Sequence, residues 1–355
     1  MDLGGLLAAW GLPPGAHYVP LTGGHINTTY HVTLPGRPES WLLQRLNLLV
    51  FPDGAAVLRN MAYVTAHLAR AAAARGEDPL RTVLSLLPTT EDEPGIQTVD
   101  GAWWRLLRFI PGARAVEHAT APEQAFEAGR GFGRFHALMA DYAGASLQET
   151  LPGFHDTARR FDALTRAVVA AEEDRLAATV HEVDFAVSRR HLATQLTGAL
   201  AAGVLPERIA HNDAKIANVL LEADSGRALA VVDLDTVMPG TPLFDVGDLI
   251  RSLTGTTPED HPDPKDVEVR PAFFAALAEG FLGQGGLGAA ERERFLTAGL
   301  VITYEQGLRF LTDFLEGDRY YRTTRPGQNL DRARVQFALV RALEAHRPAL
   351  EQLVG

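Results

Sequence analysis

The chain has 355 residues, 46% of them hydrophobic, and carries 44 Asp plus Glu against 33 Lys plus Arg, a formal charge of −11. That balance argues against general affinity for nucleic acid or for an anionic membrane surface, and the absence of cysteine excludes disulfides, thiolate metal sites and a cysteine nucleophile. A single core stops growing at about 250 to 300 residues, so two lobes are expected.

The opening MDLGGLLAAWGLPPG lacks a basic leader region, and no run approaches the ~20 apolar residues that cross a bilayer, so the expectation is a cytoplasmic protein without a membrane segment. Thr28 to Leu34 and Trp41 to Leu46 are β-rich runs around the loop PGRPES, the pattern of an antiparallel hairpin. A helix from Ala55 to Arg75 follows. Asp53 marks its start, Leu58, Met61, Val64 and Leu68 form its apolar stripe, and Gly76 marks its end. Arg81 to Leu87 and Ala102 to Ile110 read as further strands, giving a sheet of about five. The stretch FIPG then breaks the pattern, which places a lobe boundary at residue 110: a lobe of residues 1–110 and a larger one of residues 111–355. Beyond it helices are expected over 122–142, 156–199, 268–283, 290–316 and 329–353, interrupted by one hairpin turning at Asp224, Ser225 and Gly226. The fold class is α+β, a small antiparallel sheet lobe followed by a mainly helical lobe.

Chemistry concentrates in IAHNDAKIANVLL, Ile209 to Leu221, and in VVDLDT shortly after it. Asp213 is suited to accept a proton from a hydroxyl nucleophile, Lys215 to neutralise a phosphate oxygen, and Asn218 to ligate a metal through its amide oxygen, the roles that phosphoryl transfer requires. Asp233 ends an apolar run, where an isolated carboxylate is costly unless paired or metal-bound. Mg²⁺ would relieve that cost, because it takes one or two carboxylates together with phosphate oxygens and water. If the strand stays extended, Asp235 points to the same side as Asp233, as a second ligand or a supporting acceptor. Taken singly, each of these residues also reads as a turn residue or a strand end. The ordered set is harder to read that way.

HNDAKIANVL, VVDLDT and FDVGD together resemble the catalytic segments of the aminoglycoside phosphotransferase and choline kinase family, small-molecule kinases with a bilobal protein-kinase-like fold. The resemblance implies ATP and Mg²⁺ as cofactors, Asp213 as catalytic base, Asn218 and Asp233 as metal ligands, His211 as a hydrogen-bonding brace and Asp248 as the aspartate that braces the catalytic loop. It also implies nucleotide contacts from the loop LTGGHINTTY, through Gly23 and Gly24, and from Phe109 and Ile110 at the lobe boundary. Kinases of this type carry a strand lysine that holds the α and β phosphates and pairs with a helix glutamate. Here the only lysines are Lys215 and Lys265, and the helix from Ala55 to Arg75 contains no glutamate. Gln44 or Arg45 takes over the phosphates, or the chain binds nucleotide without turnover. For Arg45 a solvated charge on the outer face of its strand is the competing reading.

GGHINTTYHV, LLQRLN, FDVGDLIR and GLRFLTDFLEGDRYYRTTRPGQNLDRAR further resemble the N-acetylhexosamine 1-kinase group of that family. This implies a small-molecule sugar as substrate, with His25, Arg309 and Tyr320 holding it near Asp213. Another sugar, a choline-like amino alcohol or an aminoglycoside are the alternative acceptors. Arg309 also fits an i, i+4 ladder with Glu305 and Asp313, Tyr320 a packed aromatic, and His25 a turn.

Overall fold

The computed structural model describes residues 3–21 and 26–354; Gly23, Gly24 and His25 lie outside the described residues. The chain forms two compact units. The first comprises residues 1–115, 137–152 and 218–239, the second residues 116–136, 153–217 and 240–355. The first segment thus runs five residues past the boundary expected at 110, and the later hairpin belongs to the sheet-bearing unit.

The first unit is built on a six-stranded antiparallel sheet: β1 (His17–Leu21), β2 (Thr28–Thr33), β3 (Ser40–Arg45), β4 (Leu86–Leu87), β5 (Ile96–Gln97) and β6 (Trp103–Arg108). The spatial order is β1-β2-β3-β6-β4, with β5 also paired to β6. One face buries Val32, Trp41, Leu43, Trp104 and Leu106 against Leu3, Leu7 and Trp10 near the N-terminus. The period-2 alternation of strands then puts their neighbours on the opposite face. Thr29, Gln44 and Arg105 are cross-strand partners in register, so they form one polar row across β2, β3 and β6.

The helix Gly54–Ala74 starts where the sequence places it: the Asp53 side chain accepts the Ala56 N–H, and Leu58, Met61, Val64 and Leu68 are all buried. The strand expected over Arg81 to Leu87 shrinks to the two residues of β4, because Asp78 caps and Pro79 opens a one-turn helix, Pro79–Thr82. The expected hairpin forms from Val219–Glu222 and Ala228–Val231.

In the second unit the long helix expected from 156 to 199 is broken into Thr157–Ala170, Glu173–Ala177 and Val180–Ser188 followed by shorter turns. One buried helix, Pro242–Thr254, was not expected. Its signal is nevertheless present: Thr241 caps the Leu243 N–H, Pro242 occupies the first turn, and Leu243, Val246, Leu249, Ile250 and Leu253 are buried. This helix and Phe295–Leu315 approach through two glycines. A Cβ on Gly247 would fall 2.5 Å from the Ala298 carbonyl oxygen, and one on Gly299 would fall 2.6 Å from Ile250 Cγ2. Among the described residues, no helix is long and apolar enough to cross a membrane.

His155 and Glu305 form a buried ion pair at 2.9 Å, and Glu305 also accepts the Thr157 hydroxyl at 2.6 Å. Burial pulls the His155 pKa down, but the charge and hydrogen bond of Glu305 outweigh it and hold the imidazole above its ordinary value. Burial likewise pushes Glu305 up, and His155 and Thr157 outweigh it and hold the carboxyl below its ordinary range. The raised histidine contributes stability below its unfolded pKa that is lost as pH rises through the folded value. The depressed glutamate contributes stability above its unfolded pKa that is lost as pH falls through the folded value.

Two measurements test this packing. Gly247→Ala is expected to cost about 1–3 kcal/mol, the usual penalty for overpacking, seen as a lower midpoint in thermal denaturation; an unchanged midpoint would mean that the two helices separate freely. For Glu305→Gln, the deficit in melting temperature against wild type should be greatest between about pH 5 and 6 and should narrow above neutrality. A deficit independent of pH over that range would contradict the charged pair.

Candidate active site

The loop after the short strand Arg208–Ala210 is fixed almost entirely through its backbone. Asp245, fully buried in the first turn of the Pro242–Thr254 helix, accepts the His211 N–H at 2.8 Å and the Asn212 N–H at 2.7 Å. His136 Nε2 donates to the same carboxylate at 2.8 Å. Burial works against the Asp245 charge, but the bond from His136, the charges of His136 and His211 and the His211 N–H together hold its pKa below the ordinary value. Asn212 adopts a left-handed backbone, φ +67°, which asparagine tolerates better than most residues. Its carbonyl accepts His155 Nε2 at 3.3 Å, so the His155–Glu305 pair also steadies this loop.

The His211 ring is buried edge-on to Phe132 and Phe135. It accepts the Asp213 N–H at Nδ1 (3.3 Å). This is a bracing position, with no exposure to a reactant. Asp213 is half-buried, and Lys215 Nζ donates to its Oδ2 at 2.9 Å. The bracing expected of Asp248 is made instead by Asp245, one turn earlier. Asp248 pairs with Arg251 at 2.7 Å. FDVGD contains two aspartates three residues apart, on one face of a helix, and spacing alone does not say which reaches the loop.

In the first unit, Asn218 is buried, Asp233 is half-buried, and the Val232 N–H donates to the Asn218 carbonyl at 2.9 Å, which joins the backbones that carry the two expected metal ligands. Among the described residues, no cluster of three or more His, Asp or Glu forms a metal cage. An amide and a carboxylate oxygen supply part of an oxygen shell and leave the rest to phosphate and water, which fits Mg²⁺. The chain after Val231 is not extended. Asp233 is left-handed (φ 62°, ψ 56°) and Leu234–Thr236 is a 3₁₀ turn, so the same-side reading of Asp235 fails. Asp235 is buried, with Oδ1 bound by Arg105 Nη1 and Oδ2 by Asn27 Nδ2 at 2.6 Å. Both of its oxygens have side-chain donors, and it supports the turn.

Gln44 and Arg45 point to opposite faces of β3. Gln44 Nε2 donates to Thr29 Oγ1 at 3.0 Å, and its Oε1 accepts Arg105 Nε at 2.8 Å. Arg45 is half-exposed, 3.7 Å from Asp100, at the end of β3 on the face of Leu43 and Trp104. So long and exposed a pair is weak. Ile110 is buried, while Phe109 packs against His31 with the rings tilted and their centroids 4.6 Å apart, and donates its N–H to the Ser40 carbonyl at 3.0 Å.

The ladder weighed for Arg309 is not made. Glu305 is committed to His155 and Thr157, and Asp313 accepts the N–H groups of Arg319, Tyr320 and Tyr321. The Arg309 guanidinium instead lies over Phe154 (5.3 Å) and Tyr321 (5.6 Å) and donates to Gln306 at 3.1 Å. Tyr320 is 71% exposed, which excludes a packed core role. The sequence reading missed Arg105, His136, Asp245 and His155. Arg105 had a visible signal, a charge inside the apolar run WWRLLRF that must find a partner once buried.

Residues 17–296 match the family model APH, described as the phosphotransferase enzyme family. Among solved structures, an aminoglycoside phosphotransferase from Alicyclobacillus acidocaldarius superposes with a TM-score of 0.62 at 15% identity, covering 99% of this chain and 95% of that one. An amicoumacin kinase in complex with AMP-PNP and Ca²⁺ gives 0.57 at 14% identity, covering 91% and 88%. The choline kinase of Cryptosporidium parvum gives 0.55 at 12% identity, covering 96% and 91%. At such identities these structures speak to the fold alone, which is protein-kinase-like. The family match spans most of the chain and includes the whole 211–218 loop, and by it this protein belongs to the APH phosphotransferase enzyme family.

Proposed function

We propose that the chain transfers the γ-phosphoryl group of ATP directly, in line, to a sugar hydroxyl, the anomeric hydroxyl of an N-acetylhexosamine such as N-acetylglucosamine or N-acetylgalactosamine. The observation that carries the phosphotransfer reading is the Asp213 loop. A half-exposed carboxylate sits on a backbone held at successive positions by Asp245 and His155, with the loop's one lysine 2.9 Å from it. A base whose backbone cannot drift needs little reorganisation when the hydroxyl arrives.

Asp213 orients the acceptor hydroxyl and takes its proton, and Lys215 counters charge that develops on the transferred group. Asn218 and Asp233 are the residues that would hold Mg²⁺. Bound there, the ion would neutralise phosphate oxygens and orient the nucleotide. An anomeric hydroxyl is more acidic than other sugar hydroxyls, so a carboxylate base suffices.

The acceptor assignment draws on the surroundings of Arg309. They comprise Phe154, Tyr321, Gln306 and Arg160, and the nearby Glu305 is already neutralised by His155. Amine acceptors call for uncompensated acidic groups, whereas guanidinium, amide and aromatic groups suit a neutral polyol with an acetamido substituent. A cysteine-free chain that consumes ATP suits the cytoplasm, where we place it.

Phosphate transfer from ATP, assayed against N-acetylhexosamines, hexoses, choline and an aminoglycoside, tests the reading. The N-acetylhexosamines are expected to give the highest kcat/KM. An amine acceptor ahead of them would overturn the acceptor but not the reaction, and nucleotide binding without turnover on any acceptor would overturn the reaction. Asp213→Asn should lower kcat by about 10²- to 10⁴-fold, the range of general-base contributions, with wild-type thermal stability. Retention of wild-type turnover would remove Asp213 as the base.

A further inference from the structure

The sheet contains one guanidinium where an apolar side chain would be expected. Arg105, in the middle of β6, is 1% exposed. Its Nε donates to Gln44 Oε1 at 2.8 Å, its Nη1 to Asp235 Oδ1, and Met61 Sδ lies 3.5 Å from Nη1. Asp235 is held from a second side by Asn27, whose own Oδ1 accepts the Asn47 N–H at 3.0 Å.

As a stabilising device this is a poor choice. Taking two charges out of water costs several kcal/mol per ion, and well-packed apolar replacements of buried pairs are often neutral or stabilising by about 1–4 kcal/mol. What such a pair supplies is a fixed position, and the fixed object is a turn that needs one. Asp235 lies in the turn led by Asp233, whose left-handed backbone costs a non-glycine residue of the order of 1–2 kcal/mol. Arg105 also fills a gap in composition. Residues 1–214 contain no lysine and the helix Gly54–Ala74 contains no acidic residue. The buried strand cation therefore pairs with the 233–236 turn and not with a helix carboxylate.

We propose that Arg105 is a positioning residue: through Asp235 it locks the turn that presents Asp233 to the metal and nucleotide, while Gln44 and Thr29 set the plane of the guanidinium. The inference rests on the metal role given above to Asp233. It requires a planar donor that reaches Gln44 and Asp235 at once, which a lysine ammonium on a flexible stem does not reproduce.

The test separates position from stability. Arg105→Met, Arg105→Lys, Asp235→Asn and the apolar pair Arg105→Met with Asp235→Leu are compared with wild type in two assays: thermal denaturation, and Mn²⁺ binding in the presence of ADP, followed by the loss of the free Mn²⁺ resonance. Arg105→Met alone leaves a buried carboxylate without its cation and should lose stability. The apolar pair should recover a melting temperature close to wild type while its Mn²⁺ affinity stays about tenfold or more below wild type, the usual cost of losing a partner behind a metal ligand. Arg105→Lys should keep most of the stability and lose Mn²⁺ affinity, with a KM for the acceptor within about twofold of wild type. Should the apolar pair misfold, Asp235→Asn, which keeps the shape and loses the charge, gives the same readout. An apolar pair or an Asp235→Asn variant that binds Mn²⁺ and ADP as wild type does would overturn the inference and leave Arg105 as a structural residue. A wild-type protein that fails to bind Mn²⁺ with ADP would instead overturn the metal reading on which the inference stands.

Discussion

A carboxylate removed from water must find donors, and at Asp245 two of the donors are consecutive backbone N–H groups. That constraint governs the 211–218 loop. Two amides bound by one rigid side chain fix the peptide plane between them, and the left-handed Asn212, which supplies the second amide, is also held at its carbonyl by His155. The helix that carries Asp245 is itself pinned, because Gly247 lets the carbonyl of Ala298 come into contact with it. Helix packing, a buried charge and the direction of the Asp213 side chain are therefore successive links of one chain of causes.

The sheet-bearing unit solves a similar problem by different means. Its buried charge is the Arg105–Asp235 pair, and the backbone it governs is the left-handed turn at Asp233. Asp213 and Asp233 keep partial exposure, whereas Asn218 is buried, as are Asp245 and Asp235, whose carboxylates accept the hydrogen bonds described above. Among the described residues four non-glycine positions are left-handed, Asp92, Asn212, Asp233 and Asp318, and two of them, Asn212 and Asp233, lie in the segments that carry the candidate site.

Local features were legible where the physics is local. Asp53 and the stripe from Leu58 to Leu68 gave the helix Gly54–Ala74 within one residue at each end, and the Asp224–Gly226 turn gave the hairpin. Asp213, Lys215 and Asn218, singled out by their spacing in the sequence, lie on one short stretch of chain, and Lys215 reaches Asp213 within it. Pairings between distant positions were not legible. Arg105 meets Asp235 across 130 residues and His155 meets Glu305 across 150. No periodicity encodes such encounters. The choice between Asp245 and Asp248 failed for a related reason: both lie on one helical face, and only the entry angle of the helix decides which faces the loop. Arg309 shows the converse. Its i, i+4 partners were correctly spaced but were claimed by His155, Thr157 and the 319–321 backbone, so the local rule lost to tertiary demand.

The scarcity of lysine has a practical corollary. With arginine carrying nearly all positive charge, the chain offers only two ε-amines, and one of them belongs to Lys215, whose side chain is 38% accessible beside Asp213. Amine-directed labels, which on most enzymes scatter over many surface positions, meet here few other amines: the exposed Lys265 and the chain's α-amino group. With so few amines, the products of such labelling can be resolved one by one, and the fraction on Lys215 reports on the loop beside Asp213.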